Sequence, residues 1–168
     1  MTTRSVPLFW MPTSDVTNWA SAQMQIKQSS AAVPSPRWIE WLFDDTTDEH
    51  IVTHFTCPAN YVGSPVLRVK YKCLSATSGT VAWEARVMAY TPGDAADADA
   101  DAYAAVNAAT ETVPGTAGYE DSIDITLTNA DSLAAGDELN IALNRDVSAD
   151  SVTGDIEVRS CEFRYSDA

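Results

Sequence analysis

The sequence has 168 residues and 18.1 kDa, 45% of them hydrophobic, the size and composition of one globular domain that buries about two-thirds of its unfolded surface and needs no staples. Its 24 acids and 10 bases leave a net charge of -14, which excludes a nucleic-acid duplex as the main partner because phosphate binding needs a concentrated basic footprint. All of that excess lies in the second half: residues 1–93 carry 7 bases and 7 acids, residues 94–168 carry 3 bases and 17 acids.

Residues 1–36 hold Trp10, Trp19, three of the four methionines and Pro7, Pro12, Pro34 and Pro36, without sustained alternation. They read as an extended N-terminal arm laid across a surface, with residues 19–27 as its candidate for a short helix or strand. Apolar residues in such an arm need cover from their own domain or from a neighbouring subunit, which marks Phe9, Trp10 and Trp19 as candidate contact residues. Residues 6–11 are too short and too Pro-broken for the apolar core of a signal peptide, and no run approaches the roughly 18–20 apolar residues of a spanning helix. No membrane partner is expected.

From Arg37 the pattern has period 2, with turn residues between runs, so residues 37–168 are expected to form a single β-domain. Early strands fall at residues 38–43 and 51–57. In residues 66–73, Leu67, Val69, Tyr71 and Cys73 share one face, and Arg68, Lys70 and Lys72 form a basic stripe on the other. The next run, 80–90, places Trp83, Ala85, Val87 and Ala89 on one face; residues 75–79 read as a hairpin loop, and the two strands are expected to pair. Strands follow at 103–112, at Ile123, Ile125 and Leu127, at Leu139, Ile141 and Leu143, and in a last run that changes phase between Val158 and Cys161, which calls for a bulge near Ser160. About eight antiparallel strands and nearly no helix predict an all-β two-sheet sandwich of the jelly-roll kind. The acidic loops of the second half polarise the molecule if the sandwich gathers them at one end.

Chemistry-bearing patterns are sparse. His50 and His54 with Cys57 have the residue types of a metal site, but positions four apart on a strand are separated by about 13 Å, too far for one ion. Asp97, Asp99 and Asp101 offer carboxylates to a hard cation, yet Ala102 and Ala108 stand where a helix-loop-helix calcium site needs Gly and Glu, so the run reads as a solvated loop and no metal or cofactor is expected. Glu40 or Glu84 beside Trp41 or Trp83 is the aromatic-plus-acid pattern a glycosidase would use; on a strand such neighbours point to opposite faces, and an enzyme is not expected. Cys57, Cys73 and Cys161, an odd set without a Cys-x-x-Cys, read as thiols in or near a core. The stripe Arg68, Lys70 and Lys72 protects an edge strand or docks against acids of a neighbouring copy.

The stretch Thr112-Val113-Pro114-Gly115-Thr116-Ala117-Gly118-Tyr119, with Thr128-Asn129-Ala130-Asp131-Ser132-Leu133-Ala134-Ala135-Gly136-Asp137, Leu143-Asn144-Arg145-Asp146 and Thr153-Gly154-Asp155, resembles a β-sandwich domain of small tailed-phage virion proteins. It is similar to the jelly roll of trimeric capsid-stabilising, or decoration, proteins of marine siphoviruses. That resemblance covers roughly residues 50–165 and implies a non-enzymatic structural protein on the capsid surface of a virion, made in the host cytoplasm. Its partners would be its own copies in a homotrimer and the major capsid protein. The alternative is a tail-fibre, baseplate or carbohydrate-binding sandwich that uses exposed Trp and Tyr beside hydrogen-bonding side chains on one open face.

Overall fold

The computed structural model describes residues 1–12, 20–95 and 97–168, which contain twelve strands and no helix. The segment before Arg37 supplies β1 (Thr3–Leu8), β2 (Met11–Pro12), β3 (Ala20–Ser21) and β4 (Gln23–Gln28). The remainder supplies β5 (Arg37–Phe43), β6 (Glu49–Thr56), β7 (Tyr61–Cys73), β8 (Thr80–Tyr90), β9 (Asn107–Thr112), β10 (Glu120–Thr126), β11 (Glu138–Arg145) and β12 (Ile156–Asp167). The first sheet runs β10-β7-β12-β5-β4, with β1 also on β12; the second runs β2-β6-β11-β8-β9, with β3 parallel to β6. Taken alone, β5 to β12 give the antiparallel orders 5-12-7-10 and 6-11-8-9, which is the double Greek key of a jelly roll.

The inner faces follow the alternation read from the sequence. Leu67, Val69 and Tyr71 of β7 and Phe163 of β12 meet Val81, Trp83, Ala85 and Val87 of β8 and Leu139, Ile141 and Leu143 of β11 in one buried cluster. The Trp83 ring stands edge-on to Phe43, with centroids 5.1 Å apart, and tilted to Tyr71 at 6.1 Å. The three cysteines are free and buried, and burial pushes the Cys57 thiol up to about 11.

The expected pairing of β7 with β8 is corrected. β7 bonds to β10 and β12, and β8 to β9 and β11, so residues 74–79 form an arch between sheets rather than a hairpin turn. An apolar face on each strand does not choose between the two arrangements, since strands paired in one sheet and strands facing each other across the core both bury it; here β7 and β8 face each other across the core. Gly79 makes the arch possible: its φ is +108°, and a Cβ there would lie 2.9 Å from the Ser151 carbonyl oxygen.

The N-terminal segment adds to its own sheets. β1 pairs with the C-terminal half of β12 from Thr3↔Ser166 to Leu8↔Cys161, where β5 has ended; β4 pairs along β5, and β2 and β3 lie on β6. Val6, Leu8 and Trp10 pack against the core. The phase change in β12 is a register shift between Val158 and Ser160, at the expected place.

The acids are not gathered at one end. Asp44, Asp45, Asp48, Asp146, Asp150 and Asp155 lie in the β5–β6 and β11–β12 loops, which bond to each other from Gly154 N–H to Asp45 and from Val147 N–H to Asp48. Asp94, Asp97, Asp99, Asp101, Asp131 and Asp137 lie in the β8–β9 and β10–β11 loops at the opposite end. A chain whose strands alternate in direction deals successive loops to alternate ends.

Candidate functional site

The outer face of the first sheet holds the basic stripe, and each of its cations reaches an acid of the same chain. Arg68 donates two bonds to Asp124, at 2.6 and 2.8 Å, and Arg164 joins the same carboxylate at 3.2 Å. Lys70 meets Glu162 at 2.6 Å; Lys72 meets both Glu40 and Glu157 at 2.9 Å, and Lys27 also pairs with Glu157. Glu40 and Glu157 are buried. Beside them the Trp38 ring is flanked by the Arg159 guanidinium, 4.5 Å from its centroid, and the Lys72 ammonium at 5.8 Å. Burial alone would raise the Glu157 carboxyl, but Lys27 and Lys72 outweigh it and hold it below the ordinary carboxylate value. The Arg68 hydrogen bond does the same for Asp124. Glu40, half of one aromatic-plus-acid pattern, is thus neutralised in this lattice, and Glu84 of the other pairs with Arg86 at 3.3 Å.

The remaining candidates separate. Phe9 is 90% exposed, with its carbonyl accepting the Thr53 hydroxyl; Trp10 is half-buried, and Trp19 lies outside the described residues. His50 and His54 share the outer parity of β6, where His50 is buried and His54 exposed, and Cys57, of opposite parity, is buried. Asp97 and Asp101 accept bonds from the backbone of their own loop, at Asp99 and Ala102. The carboxylates that do come together among the described residues are Asp44, Asp45 and Asp155, with oxygens within 4.8 Å of one another. Behind them the buried Arg145 ties the loops down, bonding Asp150 at 2.7 Å and the carbonyls of Asp44, Val152 and Gly154 at 3.1–3.2 Å. Hard cations take such an oxygen set, and the sequence hid it because the three aspartates come from loops about a hundred residues apart.

The outer face of the second sheet is built differently. Register places three rows side by side across β6, β11 and β8: Thr56, Glu138 and Tyr90; His54, Asn140 and Met88; Val52, Ala142 and Arg86. Residues 103–106 run along the edge beyond β9, where the Ala104 N–H bonds to the Val87 carbonyl at 2.8 Å, and Tyr103 reaches across to donate its hydroxyl to Asn140 Oδ1. The His54 ring approaches Glu138 at 3.3 Å, and the Thr56 hydroxyl donates to the same carboxylate at 3.0 Å. His54 is exposed, and Glu138, Asn140, Arg86, Met88, Tyr90 and Tyr103 are half-buried. The arrangement sets two phenol rings, an amide, an imidazole, a carboxylate and a guanidinium within a few strand spacings, groups suited to a ligand that offers several hydroxyls and a flat apolar side. Alternation assigned these residues to one face; only the register shows them as neighbours, and Tyr103 was read as a strand residue rather than a side chain folded over that face.

The chain matches no protein-family model and no curated protein. Among solved structures it is similar to TmCBM61 in complex with β-1,4-galactotriose, at 10% identity over 94% of this chain and 88% of that one with a TM-score of 0.47. It is also similar to the Caldicellulosiruptor saccharolyticus module CBM27-1 in complex with mannohexaose, at 10% identity over 98% and 99% with a TM-score of 0.45. A third likeness is to Arthrobacter globiformis T6 isomalto-dextranase complexed with panose, at 17% identity over 96% of this chain and 23% of that one with a TM-score of 0.49.

Proposed function

We propose that this chain is a non-catalytic binding module that takes a neutral oligosaccharide on the outer face of its second sheet. The observation that carries the reading is the juxtaposition of Tyr90 and Tyr103 with Asn140, His54, Glu138 and Arg86 in adjacent register rows. Phenol rings give a sugar ring its apolar platform, and the amide, imidazole and charged groups supply donors and acceptors for its hydroxyls. A net charge of -14 selects against anionic sugars by long-range repulsion. Turnover is no part of the reading, because the two acids that β8 and β11 set on this face are each committed, Glu138 to Thr56 and His54 and Glu84 to Arg86.

The capsid-cementing alternative needs the arm and the basic stripe as contacts. Trp10 packs on its own core and Arg68, Lys70 and Lys72 are paired within the chain, which leaves Phe9 as the exposed arm contact among the described residues and supports the sugar reading. A glycan array followed by calorimetry tests it. Binding of neutral oligosaccharides that His54→Ala or Arg86→Ala weakens by about tenfold is the expected result. An array with no neutral glycan signal overturns the proposal.

A further inference from the structure

The first sheet has two edges, and they are treated differently. β10 at one edge carries Glu120, Asp121 and Asp124, charges that discourage another strand from adding there. β4 at the other edge reads Gln23-Met24-Gln25-Ile26-Lys27-Gln28, with no proline and no acid, and has β5 as its only strand partner among the described residues. Its lysine is no guard, because Lys27 folds down onto the buried Glu157.

The hairpin that β4 makes with β5 also has an uncovered apolar face. Met24 and Ile26 lie on the same side as Trp41 and Ile39, their register partners. Trp41 is buried, but Met24 is 53% exposed, Ile26 75% and Ile39 52%; in the intervening turn, Val33 is 89% exposed. Between Ala20 and Ile39 the sequence has no Asp or Glu, and its bases are Lys27 and Arg37. In a chain of charge -14, this edge meets a second copy of itself without setting acid against acid.

We propose that two copies associate through this edge, β4 pairing antiparallel with β4 of a second copy so that the first sheet continues across a two-fold axis. With the axis at Gln25, Met24 of one copy stands opposite Ile26 of the other and Gln23 opposite Lys27, so apolar meets apolar on one face and polar meets polar on the other. The strand is self-complementary because its alternation is symmetric about Gln25. The Ile39 side chains, beside Ile26, extend the apolar seam on both sides. A pair of six-residue strands is a small contact beside the interface of about 800 Å² per partner typical of stable complexes, which places the dimer among weak, reversible associations. This inference does not depend on the carbohydrate reading.

Sedimentation velocity of the full chain from low to high micromolar concentration tests the proposal, with hydrogen exchange of the β4 amides followed over the same range. The mass is expected to rise from 18.1 kDa to twice that value, with the amides of Gln23–Gln28 gaining protection together with it. Ile26→Lys sets a charge beside the axis in both copies and is expected to weaken association by at least about tenfold while leaving the melting temperature of the monomer unchanged, since the side chain is exposed. Met24→Lys, on the same face, is expected to act alike. A chain that stays monomeric throughout, or an oligomer that survives both substitutions with β4 exchange unaltered, overturns the proposal.

Discussion

On the outer face of the first sheet, Arg68, Lys70 and Lys72 each end on an acid of a neighbouring strand, and Glu40 and Glu157 are buried beneath Lys27, Lys72 and Trp38. On the outer face of the second, Tyr90, Tyr103 and Asn140 are half-buried and His54 is exposed, with the Tyr103 hydroxyl on Asn140 and His54 beside Glu138. Both faces come from strands with the same alternation of apolar and polar residues. The difference is register: β7 sets each base opposite or diagonal to acids of β10 and β12, so its charges are spent inside the molecule, whereas β11 sets amides beside tyrosines and a histidine. A charge counted in the sequence is therefore no measure of a charge available to a partner.

The comparison breaks most visibly at Lys72. Lys72→Met leaves the buried Glu157 with Lys27 as its cation and takes from the buried Glu40 the ammonium it meets, and removing one partner of a buried ion cluster costs about 3–5 kcal/mol. Urea unfolding measures it. The matching change on the second sheet, Arg86→Met, is expected to cost under about 1 kcal/mol because the Arg86–Glu84 pair is partly exposed. Equal costs at the two sites would erase the distinction between a closed face and an open one.

Acid acts on the same lattice. Glu157 and Asp124 titrate below their ordinary values in the folded chain, so between the folded and unfolded values the unfolded state binds more protons. The stability they contribute is complete above roughly pH 4.5 and is lost as pH falls through the folded values, with a fall in melting temperature. Glu49 has the opposite sign: burial raises its carboxyl, so its protonation offsets a little of that loss. Melting curves from pH 6 downward check the slope, and Glu157→Gln should flatten it.

A smaller effect belongs to the open face. Tyr103→Phe removes the hydroxyl that Asn140 accepts, at about 1 kcal/mol of stability by differential scanning calorimetry. Oligosaccharide affinity is expected to fall with it, because Asn140 loses the bond that orients it. Unchanged affinity would move the site elsewhere on the sheet.

The sequence resolved what alternation controls and missed what depends on pairing. The eight strands of the jelly roll, the inward sets Leu67/Val69/Tyr71 and Leu139/Ile141/Leu143 and the bulge near Ser160 were all legible, because each follows from a side-chain period of 2 within one strand. The β7–β8 pairing was misread because a short Gly-ending loop looks alike whether it turns within a sheet or arches between sheets. The added strand β1 was missed because its pattern is only Val6 and Leu8 around Pro7, a residue that an edge position tolerates. The site was legible only in part: His54, Asn140 and Tyr90 fall on polar faces in the sequence, but nothing local says that β6, β11 and β8 lie side by side or that Tyr103 crosses them.

The finest test lies within the first sheet, between two neighbours on β7. Arg68 has the better geometry, a two-pronged bond to Asp124, yet both side chains are more than a third exposed, and Arg164 still holds Asp124 after Arg68 is gone. Water and salt screen such a pair, so Arg68→Ala is expected to cost less than about 1 kcal/mol, and less again at high ionic strength. Lys72, with ordinary distances but two buried partners, is expected to cost several times more and to change little with salt. Urea titrations of both variants at low and high salt separate the two influences. If Arg68 proved the costlier substitution, bond geometry rather than burial would set the energy of this face, and the account of it as a closed lattice would fail.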